Sequence, residues 1–248
     1  MKALILAAGL GTRLRPFTLE HPKALVPVGG VPMLERVLLR LRAEGFDEIV
    51  VNVHHFADQI EEFLRANSNF GLKISISDER GCLLDTGGAI LHALPQLGGD
   101  DRPFLVHNVD ILSNASLANL VERHERGGGM ATLLVSDRDS SRRLCFGKDM
   151  ELLGWHNVKE NRYRPAYYRP AAADRELAFS GIHVVSPTAV RSEMERQRRS
   201  GAFSVIDFYL ESIGTAGVSG VCDTALELID IGKPETLSRA EAMFSHQK

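Results

Sequence analysis

Short apolar runs alternate with segments of helical periodicity, and this alternation limits the possible folds more than any other feature of the sequence. Residues 3–7 form a continuous apolar run that ends at Gly9, which is typical of a buried parallel strand. Apolar residues then recur at helical spacing over 33–41, and Gly45 ends that helix. The rhythm continues to about residue 136. It predicts an α/β fold, a Rossmann-like doubly wound mixed sheet flanked by helices.

The remaining elements can be placed from the same patterns. Strands are predicted over 49–53, 73–77, 104–107 and 131–135, and helices over 57–65, 89–94 and 117–126. After residue 136 the pattern changes to short strands over 144–146, 152–155 and 177–185. Helices over 187–198 and 205–213, a strand near 226–229 and a helix over 234–244 complete the chain. We expect one domain over 1–248 with two halves, 1–136 and 137–248.

Composition excludes several classes of protein. The formal net charge of the 248-residue chain is -3, and its basic residues are dispersed, so we expect no nucleic-acid partner. The three cysteines are far apart, without metal-type spacing, as in proteins of a reducing compartment. No stretch approaches the roughly 18 apolar residues needed to cross a bilayer. We therefore expect a cytoplasmic protein with no membrane partner.

The loop after the first strand carries the strongest chemical signal. Gly9 and Gly11 let the backbone turn sharply and direct its N–H groups at a ligand, and such a nest favours phosphate. Arg13 adds a fork of donors suited to phosphate oxygens, and Lys23 adds a compact positive charge. A generic glycine turn would explain the two glycines alone. It would not explain both cations in the same segment.

Two well-known glycine loops do not fit this segment. A P-loop requires Gly-x-x-x-x-Gly-Lys followed by Ser or Thr, and no such run occurs here. A dinucleotide fingerprint requires a third glycine at position 14, where Leu14 stands. It also requires an acidic residue after the second strand, where Asn52 stands. The segment therefore predicts a phosphate-binding loop of a different kind.

Two further segments combine polar residues with the end of a strand or the start of a helix. Asp110 follows the strand over 104–107, at the edge where open α/β sheets bind ligands, and its carboxylate suits Mg²⁺. A turn-forming aspartate is the alternative. Thr86 and Gly87 precede a helix, and the glycine allows close approach to a flat ring. The alternative there is a plain helix N-terminus that Asp85 or Thr86 caps.

At this point the chain shows a family resemblance. Residues 4–28, from Leu4-Ile5-Leu6-Ala7-Ala8-Gly9 to Pro22-Lys23-Ala24-Leu25-Val26-Pro27-Val28, resemble the N-terminal signature of the sugar-1-phosphate nucleotidylyltransferases. The resemblance implies a Rossmann-like fold and a Mg²⁺-dependent enzyme that joins a nucleoside triphosphate to a sugar 1-phosphate. It implies that Arg13 and Lys23 are catalytic cations, and that the nucleotide is lined by Ala8, Gly9, Gly11 and Thr12.

The resemblance also assigns roles to the later segments. The turn at Thr86 and Gly87 is similar to the family's base-contacting turn. Asn108 and Asp110 resemble the family's Asn-Gly-Asp, with Val109 in place of the glycine, so Asp110 would bind the metal and act in catalysis, and Asn108 would touch nucleotide or sugar. Residues 228–235 resemble a late Asp-x-Gly-x-Pro-Glu motif, so Asp230 would complete the Mg²⁺ site. Alternatively, Asp230 only caps its turn.

The half from residue 137 would bind the acceptor sugar, and the half before it the nucleotide. By resemblance, Gly147 and Gly181 would approach the sugar, and Glu160 would contact a sugar hydroxyl. The family's Glu-Lys-Pro is replaced here by residues 157–161. An acidic acceptor or simple solvation would each explain the five arginines of this half, Arg142, Arg143, Arg162, Arg164 and Arg169.

The resemblance is strongest to compact members of the family without a second domain. It implies uridylyl transfer to an amino-sugar phosphate such as N-acetylmuramate 1-phosphate, a step toward a cell-wall precursor. Alternatives are guanylyl transfer to mannose 1-phosphate or a heptose phosphate, and cytidylyl transfer to choline phosphate. A catalytically silent regulatory subunit is the alternative from a different class. A homo-oligomer is compatible with the sequence.

Overall fold

The structure is a computed structural model that describes residues 1–232, 236–237 and 240. Of the helix predicted over 234–244, all but residues 236, 237 and 240 lie outside the described part. The chain divides into two compact units. Unit 1 comprises residues 1–83, 107–114 and the chain from residue 227, and unit 2 comprises residues 84–106 and 115–226. The predicted functional halves, divided at residue 136, stay a prediction.

Strands and helices follow the alternation that the sequence predicts. The first hundred residues form β1 (Lys2–Leu6), β2 (Pro27–Val28), β3 (Val31–Pro32), α1 (Met33–Ala43), β4 (Glu48–Val53), α2 (Ala57–Ala66), β5 (Lys73–Asp78) and α3 (Asp85–Leu97). The chain beyond them forms β6 (Phe104–Asn108), β7 (Ile111–Ser113), α4 (Leu117–Gly127), β8 (Ala131–Ser136), β9 (Arg142–Phe146), β10 (Leu152–Asn157), β11 (Arg162–Arg164), β12 (Arg175–Val185), α5 (Pro187–Arg196), α6 (Val205–Glu211), β13 (Val218–Cys222) and β14 (Leu228–Asp230).

Unit 1 contains a parallel sheet whose strands end side by side. β1 pairs with β4 in parallel, with Leu6 opposite Asn52, and β4 pairs with β5, with Val53 opposite Asp78. These strands are continuous apolar runs because both faces of a parallel sheet are covered. The apolar stripe of α1, which includes Leu34, Leu38 and Leu41, is fully buried. β7 and β14 form a separate antiparallel ribbon.

Unit 2 contains strands of both orientations. β8 lies between β12, which is antiparallel to it, and β13, which is parallel. β9 pairs with β12 and β10, and β11 pairs with β10, all antiparallel. The long strand β12 has an irregular register between Phe179 and His183. Phe208 and Tyr209 of α6 are among the most deeply buried side chains.

The predicted α/β class is confirmed, with mixed sheets and flanking helices, and two local expectations need correction. The helix predicted over 89–94 begins at Asp85 and continues through Pro95 to Leu97. Gly87 and Gly88, in the first turn of this helix, lie so close to Phe203 and Gly201 that neither position has room for a side chain. The strands β2, β3, β7, β11 and β13 were not predicted: the first four have only two or three residues, and β13, with the sequence Val-Ser-Gly-Val-Cys, is neither a continuous apolar run nor a strict alternation. Within the described residues, no helix is both long and apolar enough to span a bilayer.

Candidate active site

The glycine loop begins where β1 leaves its sheet. Ala7 and Ala8 donate their N–H groups to the Asn52 side-chain oxygen, at 2.6 and 3.2 Å. The next N–H groups, of Gly9, Leu10 and Gly11, have no acceptor among the described residues. A run of unsatisfied backbone donors after a buried strand is the arrangement that binds phosphate. The loop thus has the geometry that the sequence predicts.

Gly11 shapes the loop and places Lys23. Its φ and ψ of 61° and 27° are left-handed, which glycine adopts without steric cost. The Thr18 hydroxyl donates to the Gly11 carbonyl oxygen at 2.9 Å, and the Leu14 N–H donates to the same oxygen at 2.8 Å. The Lys23 stem and the Thr18 methyl group both pack where a Gly11 side chain would begin. The loop conformation and the position of Lys23 therefore depend on each other.

The ribbon of β7 and β14 brings the two predicted metal ligands to one place. Asp110 directly precedes β7, and Asp230 ends β14 opposite Ile111. The Ile231 N–H donates to the Asp110 carbonyl oxygen at 2.9 Å, which extends the pairing by one bond. The Val109 N–H donates to the Leu6 carbonyl oxygen at 3.1 Å, so this segment lies beside the end of β1.

Four charged side chains converge beside this ribbon. Lys23 forms an ion pair with Asp110, and these side chains are only 13% and 16% exposed. A Cβ atom added to Gly232 would lie 2.8 Å from Arg13 Nη2, 2.8 Å from Asp230 Oδ1 and 3.3 Å from Asp110 Oδ2. Gly232 also donates its N–H to Asp230 Oδ1 at 2.8 Å. Unit 1 therefore brings together all four residues predicted to act in catalysis or metal binding.

The donor set suits Mg²⁺ better than zinc or another soft metal. The described residues contain no group of three or more His, Cys, Asp and Glu side chains that could hold an ion. Mg²⁺ needs no such cage, because it keeps several waters and takes one or two protein carboxylates together with substrate phosphates. Asp110 and Asp230 provide two converging carboxylates. Arg13, which forms no ion pair with a described residue, is available for an anion.

The predicted nucleotide-lining residues differ in exposure. In unit 1, Ala8 is buried, Gly9 and Thr12 are exposed, and Gly11 is half-buried. Asn108 ends β6, is half-buried, and accepts a hydrogen bond on its carbonyl oxygen from His107 Nδ1 at 2.8 Å. His107 is fully buried, and desolvation lowers the pKa of its ring to about 4. The ring is therefore neutral near pH 7.

The turn predicted to contact the base lies in unit 2 at the start of α3. The Asp85 carboxylate accepts a hydrogen bond from the Thr86 N–H at 2.6 Å, so it satisfies one backbone donor at the start of the helix, as the helix-N-terminus alternative expects of Asp85. The Thr86 hydroxyl accepts a hydrogen bond from the Val205 N–H at 2.9 Å. The Gly87 N–H donates to the Phe203 carbonyl oxygen at 2.8 Å. The turn is thus fastened to the segment that leads into α6, and its base-contacting role stays a prediction.

The three predicted sugar-binding residues lie in unit 2 in different surroundings. Gly147 faces the Glu151 carboxylate so closely that a side chain could not be added without movement. Glu160 is exposed in the turn before β11, and its carboxylate lies 3.5 Å from Arg162. Gly181 is buried in β12 with a φ of 80°, within the register shift of that strand. Their proposed roles stay predictions.

Sequence reasoning did not identify Asn52 and Glu79 as residues of the site. Both are only 2% exposed, and the Asn52 amide donates to Glu79 Oε1 at 2.8 Å. In the sequence, Asn52 served only to exclude a dinucleotide-binding fingerprint, which requires an acidic residue after the second strand. A polar residue within the apolar run of β4 was the one available signal, because a buried amide requires hydrogen-bond partners.

Comparison with known proteins assigns a family. Residues 2–147 match the family model described as nucleotidyl transferase. The chain is 34% identical to the N-acetylmuramate alpha-1-phosphate uridylyltransferase of Caulobacter vibrioides, over 98% of this chain and 96% of that one. It is 47% identical to the enzyme of the same name from Neisseria meningitidis serogroup B, over 46% of this chain and 48% of that one.

A solved structure shows the same fold. HddC from Yersinia pseudotuberculosis, in complex with GMP-PN, matches with a TM-score of 0.75 and 22% identity. The match covers 98% of this chain and 99% of HddC. The family match and the relative matched over nearly the whole of both chains agree with one another. The chain belongs to the nucleotidyl transferase family and is a member of its sugar-1-phosphate nucleotidyltransferases.

Proposed function

We propose that this enzyme transfers a uridylyl group from UTP to an amino-sugar 1-phosphate such as N-acetylmuramate 1-phosphate, with release of pyrophosphate. The observation that carries the choice of substrates is the Caulobacter uridylyltransferase, 34% identical over nearly the full length of both chains. The match to the Neisseria enzyme is higher in identity but covers less than half of each chain. The reaction class itself follows from the family.

The reaction is an in-line attack by an oxygen of the sugar phosphate on the α-phosphorus of UTP. A phosphate monoester is already an anion at neutral pH, so the attacking group needs no general base. The enzyme must instead align the two anions and neutralise their charge. Unsatisfied N–H groups of the glycine loop bind phosphate oxygens, and Thr12 lines the nucleotide. Thr86 and Gly87 contact the base.

Arg13 and Lys23 stabilise the negative charge that develops on the α-phosphate and on the departing pyrophosphate. Arg13 suits this role because its guanidinium lies beside both carboxylates without an ion partner among the described residues. Asp110 and Asp230 would hold Mg²⁺, which would supply charge neutralisation at the phosphates. Gly147, Glu160 and Gly181 are proposed to contact the acceptor sugar, and Asn108 to contact nucleotide or sugar.

The experiment that tests this proposal measures pyrophosphate release. UTP, GTP, CTP, ATP and dTTP are each combined with N-acetylmuramate, N-acetylglucosamine, glucose and mannose 1-phosphates, a heptose 1-phosphate and choline phosphate, with and without Mg²⁺. We expect UTP with N-acetylmuramate 1-phosphate to give the highest kcat/KM. A preference for GTP with mannose 1-phosphate would refute the choice of substrates and retain the reaction class. Several relatives are mannose-1-phosphate guanylyltransferases, matched over about 56% of this chain.

Variants test the assigned charges. We expect Lys23→Ala, Arg13→Ala and Asp110→Ala each to reduce kcat about 10²–10³-fold, because each removes a charge that acts on the transition state. Lys73→Ala is the matched control, since Lys73 also pairs with a carboxylate, Glu48 at 3.3 Å, but lies at the amino end of β5. A near-normal rate in any of the three variants would remove that residue from the catalytic group. A folded wild type that binds UTP without turnover would favour a regulatory subunit.

A further inference from the structure

Asn52 and Glu79 form a buried polar pair that the reaction itself does not use. Asn52 lies near the carboxyl end of β4, and Glu79 directly follows β5. Each residue is 2% exposed. The backbone of Glu79 is anchored to the end of β4, since its N–H donates to the Val53 carbonyl oxygen at 2.8 Å. Both therefore lie at the edge of the parallel sheet where β1 opens into the glycine loop.

The orientation of the Asn52 amide is fixed by its partners. Its oxygen faces two N–H donors, those of Ala7 and Ala8, at 2.6 and 3.2 Å. Its nitrogen faces Glu79 Oε1, an acceptor, at 2.8 Å. A flipped amide would turn its NH₂ group toward the two N–H donors and its oxygen toward the carboxylate. Since a buried polar atom without a partner is costly, only one orientation is stable.

The Asn52 side chain replaces the backbone pairing at the point where the ladder between β1 and β4 ends. The register of β1 with β4 stops at Leu6 opposite Asn52, so Ala7 and Ala8 have no ladder partner. The Asn52 side chain accepts both of their N–H groups and turns them into the protein. The following N–H groups, of Gly9, Leu10 and Gly11, then remain without an acceptor among the described residues. The pair thus decides which backbone donors of the loop are available for phosphate.

We propose that Asn52 and Glu79 are positioning residues that set the affinity of the glycine loop for the triphosphate. The inference rests on the proposed function, because it takes the loop to be the phosphate site. Neither side chain touches the substrate. The Glu79 carboxylate orients the Asn52 amide, and the amide in turn fixes the backbone of Ala7 and Ala8 at the start of the loop. A purely structural pair would contribute to stability and leave the nucleotide affinity of the folded protein unchanged.

The inference is tested by exchanging the amide and the carboxylate between positions 52 and 79. Asn52→Asp places two carboxylates against each other in a buried site, so one of the hydrogen bonds becomes a repulsion. We expect the Kd for UTP with Mg²⁺ to rise at least about tenfold, while the KM for the sugar phosphate changes little. The double variant Asn52→Asp/Glu79→Gln has the wild-type charge and restores a donor opposite each acceptor. We expect it to bind UTP within about threefold of wild type.

Binding is measured by titration calorimetry in the absence of sugar phosphate, so that no turnover interferes, and unfolding free energies are measured in urea. Asn67→Asp is the control, because that asparagine is exposed at the end of α2. Weakened binding that the exchange restores would support the positioning role. If Asn52→Asp lowers stability but leaves the Kd within about twofold, the pair is structural and the inference is wrong.

Two further outcomes are also decisive. Failure of the double variant to recover affinity, although it is folded, would overturn the inference, because the hydrogen-bond pattern would then not be what matters. If the wild type binds neither UTP nor GTP, CTP, ATP or dTTP, the proposed function fails and the inference fails with it. If the wild type binds UTP and the variants bind it equally well, the inference is refuted and the proposed function is not.

Discussion

Gly11→Ala is the substitution whose effect can be worked out most fully from the structure. Two separate costs arise at this position. The left-handed φ of 61° is unfavourable for alanine by about 1–2 kcal/mol. The added Cβ would also lie 2.9 Å from the Lys23 Cβ and 2.9 Å from the Thr18 methyl carbon, closer than packed carbon atoms approach.

Two other glycines separate these costs. Gly30 has a left-handed φ of 79° but nothing within 4 Å of an added Cβ, so Gly30→Ala carries the backbone cost alone. Gly9 has neither a left-handed φ nor a neighbour within 4 Å, so Gly9→Ala carries neither cost. Alanine also restricts the unfolded chain, which favours folding by about 0.4–1 kcal/mol at a compatible site.

The expected unfolding free energies follow in order. Gly9→Ala should be unchanged or slightly stabilised, and Gly30→Ala should lose roughly 0.5–1 kcal/mol after the unfolded-state gain is subtracted. Gly11→Ala should lose a further 1–3 kcal/mol, because overpacking forces the Lys23 stem or the Thr18 methyl group to move. Urea unfolding at constant pH measures all three. If Gly11→Ala were no less stable than Gly30→Ala, the close packing of Lys23 against the loop would be wrong.

The remaining predictions concern a histidine, a hydroxyl and a second glycine. Burial lowers the pKa of His107 from 6.5 to about 4, so the unfolded chain takes up this proton first as the pH falls. We expect about 3 kcal/mol of stability to be lost between roughly pH 6.5 and 4, and His107→Gln to remove most of that dependence in urea unfolding. Thr86→Val should lose about 1 kcal/mol, because the Val205 N–H loses its acceptor, whereas Thr86→Ser should keep most of it; thermal and urea unfolding compare them. Gly232→Ala should reduce kcat/KM at least about tenfold by displacing the charged groups around it, and equal rates in a pyrophosphate assay would contradict their convergence.

Local patterns made the secondary structure predictable. The runs over 3–7 and 49–53 and the helical spacing over 33–41 correspond to β1, β4 and α1 almost residue by residue. The two strands are apolar runs and the helix is long enough to show its period, so the burial of all three follows from the sequence. The strand predicted near 226–229 corresponds to β14, but its pairing with β7 was not predicted, because β7 has only three residues and the pairing joins segments more than a hundred residues apart.

The candidate site was predictable where chemistry lies in short motifs. Arg13, Lys23 and Asp110 follow from the glycine loop and the end of a strand, and the structure brings them together. Hydrogen bonds between distant segments were not predictable. The Asn52 amide and the Thr86 hydroxyl find partners 45 and 119 residues away, and nothing near either residue in the sequence indicates those partners.

The ribbon of β7 and β14 has a consequence for the synthesis of this protein. A ribosome releases the glycine loop and Asp110 long before it releases Asp230, because the partner strand begins only at Leu228. During most of translation the nascent chain therefore carries the phosphate loop and one carboxylate without the second. Only when the late segment returns to pair with Ile111–Ser113 is the second carboxylate in place. A nascent chain that ends before Leu228 should therefore be unable to assemble the paired carboxylates, even in the presence of nucleotide.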